Sequence, residues 1–244
     1  MASEQQVAEV LVGLIGKVRR PEQFPAKHRA ASELVATNPF AFALAVSLQR
    51  GISAEVIWTF PYDLRAALGH LDPVQIAAMS LDDLDRVIRR LPSKPRYVND
   101  APRTVKELSR LVIDRYGGDA SRIWTDRSAG EVKAAFRSLY GVGQGIADLA
   151  VLLLEDRYGL RFSDSDHRGV DIKADTHTRR VLHRLGVAAD DSPREAIAAA
   201  RRLHPSYPGD LDAPLVTIGR TWCHPRQPEC AACSLVGVCA YAAV

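Results

Sequence analysis

The sequence of 244 residues lacks any apolar run of membrane-spanning length, and this absence argues against a transmembrane protein. The first twenty residues contain an apolar stretch, but Glu4 and Glu9 interrupt it. The stretch therefore predicts an amphipathic helix and not a signal peptide. We expect a cytoplasmic protein that has no membrane partner.

The sequence also lacks a strong excess of either charge. It has 32 Lys and Arg against 29 Asp and Glu, for a formal net charge of +3. This mildly basic balance is compatible with a nucleic-acid partner, although many proteins without such a partner share it. With 47% hydrophobic and 25% charged residues, the chain has an ordinary globular composition, sufficient for one large or two small domains.

Convincing alternation of apolar and polar residues, the pattern of a half-buried β-strand, is missing as well. Helical spacing recurs instead. Ser128 and Glu131 form a capping-box pattern, and the helical pattern that begins at Pro102 ends at Gly117-Gly118. The sequence predicts an all-α fold.

Cysteine is scarce, and all four cysteines fall within the last 22 residues, at positions 223, 230, 233 and 239. A disulfide framework is a poor interpretation, because nothing marks the chain as secreted and its size does not require such cross-links. Four thiolates from one short segment can hold a [4Fe–4S] cluster or a zinc ion. The C-x6-C-x2-C-x5-C spacing is unusual for zinc, but it does not by itself distinguish the two. We call residues 223–239 the cluster loop.

Glycines at 141, 143 and 145 lie in the segment 139–147, which joins two helical patterns through a tight turn. Glycine permits positive φ and close backbone approach. The start of the following helix offers unpaired N–H groups and a positive dipole end, which suit a phosphate. An ordinary αα-hairpin has the same glycine preference, so both interpretations stay open.

Four segments together resemble one family. The hairpin Leu139–Ala147 resembles the pattern L-P-G-V-G-x-K-T-A, and Ala174–His177 resembles V-D-T-H. Residues 38–49 resemble the opening N-P-F…L-S-x-Q, and the cluster loop resembles the [4Fe–4S] loop. All four are similar to the endonuclease III and MutY branch of the helix-hairpin-helix (HhH-GPD) DNA glycosylases, over roughly residues 38–241. The resemblance implies a base-excision repair enzyme with a [4Fe–4S] cluster, acting as a monomer on double-stranded DNA with a damaged or mismatched base.

The resemblance also implies two helical lobes. A central lobe, residues 30–157, would contain the hairpin helices at about 131–154. Residues 1–29 and 158–244 would form a terminal lobe that carries the cluster loop. DNA would lie between the lobes, with Gly145 and Asp175 at the floor of the cleft.

The chain departs from the family at the hairpin, where Gly145 replaces the lysine of bifunctional members. Glycine cannot attack the sugar, so the resemblance implies a monofunctional enzyme that leaves an abasic site. Tyr140 and Ile146 replace the usual proline and threonine. One alternative is a glycosylase with AP-lyase activity that uses Lys173, in the long charged segment 161–173, whose ordinary interpretation is a solvated loop. Another is a protein that binds damaged or distorted DNA without excising a base.

Asp175 is the candidate catalytic carboxylate, since such a group can stabilise a sugar with oxocarbenium character and activate water. Aspartate is also a favoured helix N-cap, and the two roles are compatible. Gln49 matches the family position that fills the space of a flipped base. The remaining candidates for DNA contact or lesion recognition are Arg50 beside it, Leu91 as a wedge, Lys173, and Gly141, Gly143 and Gly145 of the hairpin. Tyr97 is predicted to lie in the core, and the sequence does not specify the lesion.

Overall fold

The computed structural model describes residues 2–17, 24–162 and 169–243. Within these ranges the chain forms twelve α-helices and no β-strand, which confirms the predicted all-α class. The helices are α1 Glu4–Gly13, α2 Arg29–Thr37, α3 Pro39–Ser47, α4 Ala54–Leu68, α5 Pro73–Ala78, α6 Leu81–Arg90, α7 Ala101–Tyr116, α8 Ala129–Arg137, α9 Gln144–Tyr158, α10 Thr176–Leu185, α11 Pro193–Leu203 and α12 Asp212–Thr221. In the described part of the chain, no helix combines the length and the apolarity needed to span a membrane.

The chain divides into two compact units. The central unit is Pro21–Ser165, and the terminal unit combines Met1–Arg20 with Asp166–Val244. The sequence division places residues 24–29 and 158–162 in the terminal lobe, whereas the structure groups them with the central unit. The reason is that an aromatic residue near each boundary contacts the central unit. The Phe24 ring lies 4.7 Å from the Trp58 ring, and the Tyr158 hydroxyl donates to the Val35 carbonyl at 2.6 Å.

The central unit is built around α3. Asn38 caps this helix, its Oδ1 accepting from the Ala41 N–H at 3.0 Å, and Pro39 begins its first turn. Every side chain from Phe40 to Ser47 is buried, as expected for a helix that is apolar on all faces. The helix ends at Ser47, so Gln49 and Arg50 follow directly as the chain leaves the core.

The terminal unit joins the two ends of the chain. Its core contains Leu11 of α1 together with residues of α10, α11 and α12. Helices α10 and α12 approach closely at Gly219, where a Cβ atom would lie 2.7 Å from the Cβ of His177. Only glycine permits this approach, which sets α10 against the helix that leads into the cluster loop.

Candidate active site and cluster loop

The predicted hairpin lies in the central unit between α8 and α9. The Ser128–Glu131 capping box begins α8, as predicted. Gly141 has a φ of +74° and requires glycine, whereas Gly143 is extended, with φ −95° and ψ 179°. Gly143 is the N-cap of α9 and no side chain caps that helix, so backbone N–H groups at its start remain available to an anion.

A buried polar group braces the hairpin. Asp148 is completely buried on α9, where its two carboxylate oxygens accept from Gln144 Nε2 at 2.8 and 3.0 Å. The Lys133 ammonium of α8 lies 3.4 Å from the same carboxylate. A buried carboxylate requires such partners. The sequence analysis missed this brace, although a charged residue within the apolar run 146–154 was a usable signal.

Gly145 lies in the first turn of α9. A Cβ atom at this position would meet no atom within 4 Å, and its φ is not in the left-handed region. Neither packing nor backbone conformation therefore explains why glycine stands at this position. The position is free to accept a longer side chain.

Gln49 and Arg50 lie next to the hairpin. The Arg50 guanidinium covers Gly141 so closely that a Cβ atom on that glycine would collide with it, and it lies 5.3 Å from the centroid of the Tyr97 ring. Gln49 is half-buried, and its Oε1 is buried without a hydrogen-bond partner among the described residues. The structure thus brings Arg50 and Gly141, two of the predicted contact residues, together, and Gln49 adjoins Arg50 along the chain.

The loop after α6 corrects two predictions. Leu91 is only 3% exposed, since it packs into the core at the end of α6, and it is not available to wedge DNA. Tyr97, predicted to be core, is 47% exposed. The Arg96 guanidinium lies 5.9 Å from its ring and donates to the Gly51 carbonyl at 3.2 Å. The basic residues Lys94 and Arg96, directly before Tyr97, were the signal for an exposed surface.

Tyr140, at the position of the family proline, forms a second stack beside Gly141. Its ring is 37% exposed, and the Arg103 guanidinium lies 4.0 Å from its centroid. Its backbone is held on both sides, because its N–H donates to Glu107 Oε2 at 2.6 Å and its carbonyl accepts from Thr104 Oγ1 at 3.0 Å. Sequence reasoning did not find Arg103, since α7 is distant from the hairpin along the chain.

Asp175 lies in the terminal unit, where it is the N-cap of α10. Its Oδ1 accepts from the backbone N–H groups of His177 at 2.7 Å and Thr178 at 3.1 Å. Both bonds use the same oxygen, and the described residues provide no hydrogen bond to Oδ2. The half-buried carboxylate is therefore held rigidly by one oxygen while the other can act on a substrate. His177 packs against Gly219, which is consistent with a structural role.

The backbone of Lys173 is fixed beside Asp175. Its N–H donates to Asp212 Oδ1 at 2.8 Å, and its carbonyl accepts from the Asp175 N–H at 2.7 Å and from Thr178 Oγ1 at 2.9 Å. Burial lowers the pKa of the Lys173 amine, while the charges of Asp175 and Asp212 act in the opposite direction. A lowered pKa increases the fraction of neutral, nucleophilic amine.

The segment before Lys173 differs from the predicted solvated loop. Residues 163–168 lie outside the described residues. Val170 and Ile172 are buried, and Asp171 forms a bidentate ion pair with Arg201, at 2.8 and 2.7 Å. The described end of the segment is thus anchored in the terminal unit because its apolar residues pack there.

The four cysteines of the cluster loop form no disulfide with one another, and each is half-buried. Burial raises the pKa of the Cys233 thiol, a backbone hydrogen bond from Leu235 opposes this effect, and the other three cysteines reinforce it. No three His, Cys, Asp or Glu side chains in the described ranges converge to hold a single metal ion. In a [4Fe–4S] cluster each thiolate binds a different iron atom, so the sulfur atoms need not converge on one point. The donor set fits such a cluster chemically.

Two arginines of α10 hold the loop. Arg180 donates to the carbonyls of Cys223 at 2.7 Å and Gly219 at 2.8 Å. Arg184 donates to Cys223 Sγ at 3.4 Å and to the His224 carbonyl at 2.7 Å. The helix that begins at Asp175 is thereby bonded to the segment that contains the first cysteine.

No protein-family model matches the chain. Endonuclease III of Thermotoga maritima is 26% identical over 170 residues, which cover 69% of this chain and 68% of that protein.

Similar structures include endonuclease III trapped covalently on DNA with an estranged adenine, and a non-covalent endonuclease III–DNA complex. Each has a TM-score of 0.67 and 22% identity, and covers 100% of this chain and 98% of its own. A thermostable thymine-DNA glycosylase has a TM-score of 0.63 and 20% identity, covering 98% of this chain and 97% of its own. The chain is thus similar to endonuclease III in sequence and in fold.

Proposed function

We propose that the protein is a monofunctional DNA glycosylase of base excision repair, which flips a damaged or mispaired base and hydrolyses its N-glycosidic bond. The observation that carries this proposal is the geometry of Asp175. One carboxylate oxygen is fixed by two backbone N–H groups of α10. The other oxygen can interact with the sugar and with a water molecule. Gly145 supports the hydrolytic assignment, because the hairpin offers no amine at that position.

The proposed reaction follows from what a carboxylate can do. The target nucleotide leaves the duplex so that its sugar becomes accessible. As the bond from C1′ to the base nitrogen breaks, positive charge develops on the sugar, and the Asp175 carboxylate stabilises it. Asp175 then orients a water molecule and accepts one of its protons while the water oxygen bonds to C1′. The base leaves with the electron pair of the broken bond and takes up one proton, which balances the proton lost by the water. The product is an intact strand with an abasic site.

The hairpin is the proposed contact to the DNA backbone. Uncapped N–H groups at the start of α9 suit a phosphate oxygen. Arg96 and Arg103 lie near the hairpin with exposed side chains and add sequence-independent attraction for the duplex. This arrangement suits double-stranded DNA as the partner.

Cys223, Cys230, Cys233 and Cys239 are proposed to hold a [4Fe–4S] cluster. When bound, the cluster fixes the fold of the loop. Arg180 and Arg184 connect that loop to α10, so an ordered loop supports the helix whose N-cap is Asp175.

The variant Asp175→Asn tests the proposal. Asparagine is as good an N-cap as aspartate, so α10 and lesion-DNA binding are expected to persist. Excision is expected to fall by about 10²–10⁴-fold, the usual contribution of a general base. End-labelled duplexes that carry a panel of lesions would be cleaved by hot alkali after reaction with the wild type only. Retention of excision by Asp175→Asn would overturn the assignment.

A second candidate function is a glycosylase with AP-lyase activity through Lys173. The lowered pKa of this amine, beside Asp175, favours it. Strand cleavage without alkali, together with a borohydride-trapped complex that Lys173→Gln abolishes, would establish it. Tight DNA binding without cleavage of any lesion would instead indicate a non-catalytic recognition protein.

A further inference from the structure

The contacts of Arg50 distinguish it from the other arginines near the hairpin. Its guanidinium covers the left-handed Gly141 and lies over the exposed Tyr97 ring. The ring in turn belongs to the loop that Arg96 fastens to Gly51. The guanidinium is therefore positioned by neighbours on two sides, one of them held in place by Arg96, and has lost much of the freedom of a surface arginine.

We propose that Arg50 reads the base left unpaired when the target base is flipped, and restricts this enzyme to pairs in which that partner base is guanine or cytosine. The inference rests on the proposed function, since only a base-flipping protein creates an unpaired partner. The inference specifies which base pairs the enzyme accepts, and neither the Asp175 chemistry nor the hairpin determines this.

Gln49 supports a base, and not a phosphate, as the ligand. Its Oε1 is buried without a partner among the described residues and therefore needs a hydrogen-bond donor. A phosphate diester has only acceptors. A nucleobase presents both acceptors and N–H donors, and its flat face can continue the stack formed by Arg50 and Tyr97.

The class of base follows from the donors of arginine. A guanidinium presents two parallel N–H groups and no acceptor, so it prefers two neighbouring acceptors. Guanine has such a pair at O6 and N7, and cytosine has one at O2 and N3. Along the polar edges of adenine and thymine, acceptors alternate with donors, so neither base offers a matching pair. Guanine and cytosine also carry amino groups that can donate to Gln49 Oε1.

The test measures binding and does not depend on catalysis. The cluster-loaded full-length protein would be titrated, at one fixed salt concentration, with four fluorescent duplexes. They contain a tetrahydrofuran abasic-site analogue and differ only in the opposite base. We expect the guanine or the cytosine duplex to bind about 5- to 150-fold more tightly than the adenine and thymine duplexes, the ratio that one bidentate contact supplies.

Arg50→Lys keeps the charge but removes the planar fork, so the four affinities are expected to become nearly equal. Arg103→Lys is the matched control, because Arg103 also stacks on an exposed tyrosine, but on Tyr140 and not on Tyr97. This variant should preserve the ratio. Tyr97→Leu removes the ring beneath Arg50 and should reduce the ratio partially.

The outcomes distinguish failure of the Arg50 inference from failure of the proposed function. Equal binding of all four duplexes by the wild type, or an unchanged ratio in Arg50→Lys, would overturn the inference while DNA binding, and with it the proposed function, stands. A uniform loss of affinity in Arg50→Lys, with the ratio kept, would identify a phosphate contact and overturn it as well. Failure to bind any duplex would overturn the proposed function too. Preference for guanine would indicate that the excised base is a damaged or mispaired pyrimidine. Preference for cytosine would indicate that it is a damaged guanine.

Discussion

Replacing Gly145 by lysine would restore the amine that the hairpin lacks. A Cβ atom at this position meets open space, and the residue lies in the first turn of α9, where helical φ suits any L-residue. Relative to glycine, lysine gains about 0.5–1 kcal/mol in helix propensity. A cation at a helix N-terminus costs about 0.3–1 kcal/mol. These contributions nearly cancel, so the free energy of unfolding should change by less than about 0.5 kcal/mol.

The expected result is a change of reaction type. The positive end of α9 favours the neutral form of an amine placed there. Attack of that amine on C1′ expels the base and forms a Schiff base, and β-elimination then breaks the bond from C3′ to its oxygen. Gly145→Lys should therefore nick lesion duplexes without alkali and form a borohydride-trapped complex, neither of which we expect of the wild type.

Gly145→Arg is the matched control, because it adds a cation of similar length that cannot form a Schiff base. A folded Gly145→Lys protein that binds lesion DNA but yields only alkali-dependent breaks would refute the reasoning. It would mean that position 145 does not face the reacting sugar. Borohydride trapping of the wild type itself would indicate that another amine forms the Schiff base, and Lys173 would be the candidate.

Three further predictions concern stability. Cys239→Ser, or removal of iron by a chelator, should lower the unfolding temperature of the terminal unit, because the loop loses its ligand; differential scanning calorimetry would detect this, and an unchanged profile would count against the cluster. Gly219→Ala should destabilise the same unit by about 1–3 kcal/mol, because the new methyl group would meet His177; urea unfolding followed by circular dichroism measures it. Leu91→Ala should cost about 2–5 kcal/mol in the free energy of unfolding because Leu91 is buried, whereas a wedge residue would instead lose DNA affinity at unchanged stability.

Much of the architecture follows from local sequence patterns. The caps at Ser128 and Asp175 and the left-handed helix end at Gly117 are present as predicted, because the decisive hydrogen bonds lie within one helical turn. The cysteine spacing and the glycine at 145 are likewise readable directly from the chain. The all-α class follows from the same periodicity.

Local sequence patterns did not predict which residues after α6 are exposed. Leu91 and Tyr97 lie six positions apart in one loop, and either can pack inward or face solvent. The structure buries Leu91 and leaves Tyr97 exposed. The choice depends on the space left by helices of the central unit, which are formed by other parts of the chain.

The sequence by itself determined the all-α class, the caps at Ser128 and Asp175, the clustering of the four cysteines and the absence of an amine at position 145, since each depends on residue identity or on neighbours within a few positions. Only the tertiary structure decided that Arg50 covers Gly141, that Tyr97 supports it and that Arg184 of α10 reaches Cys223. These contacts join residues far apart along the chain, and close packing of the folded units is what selects them.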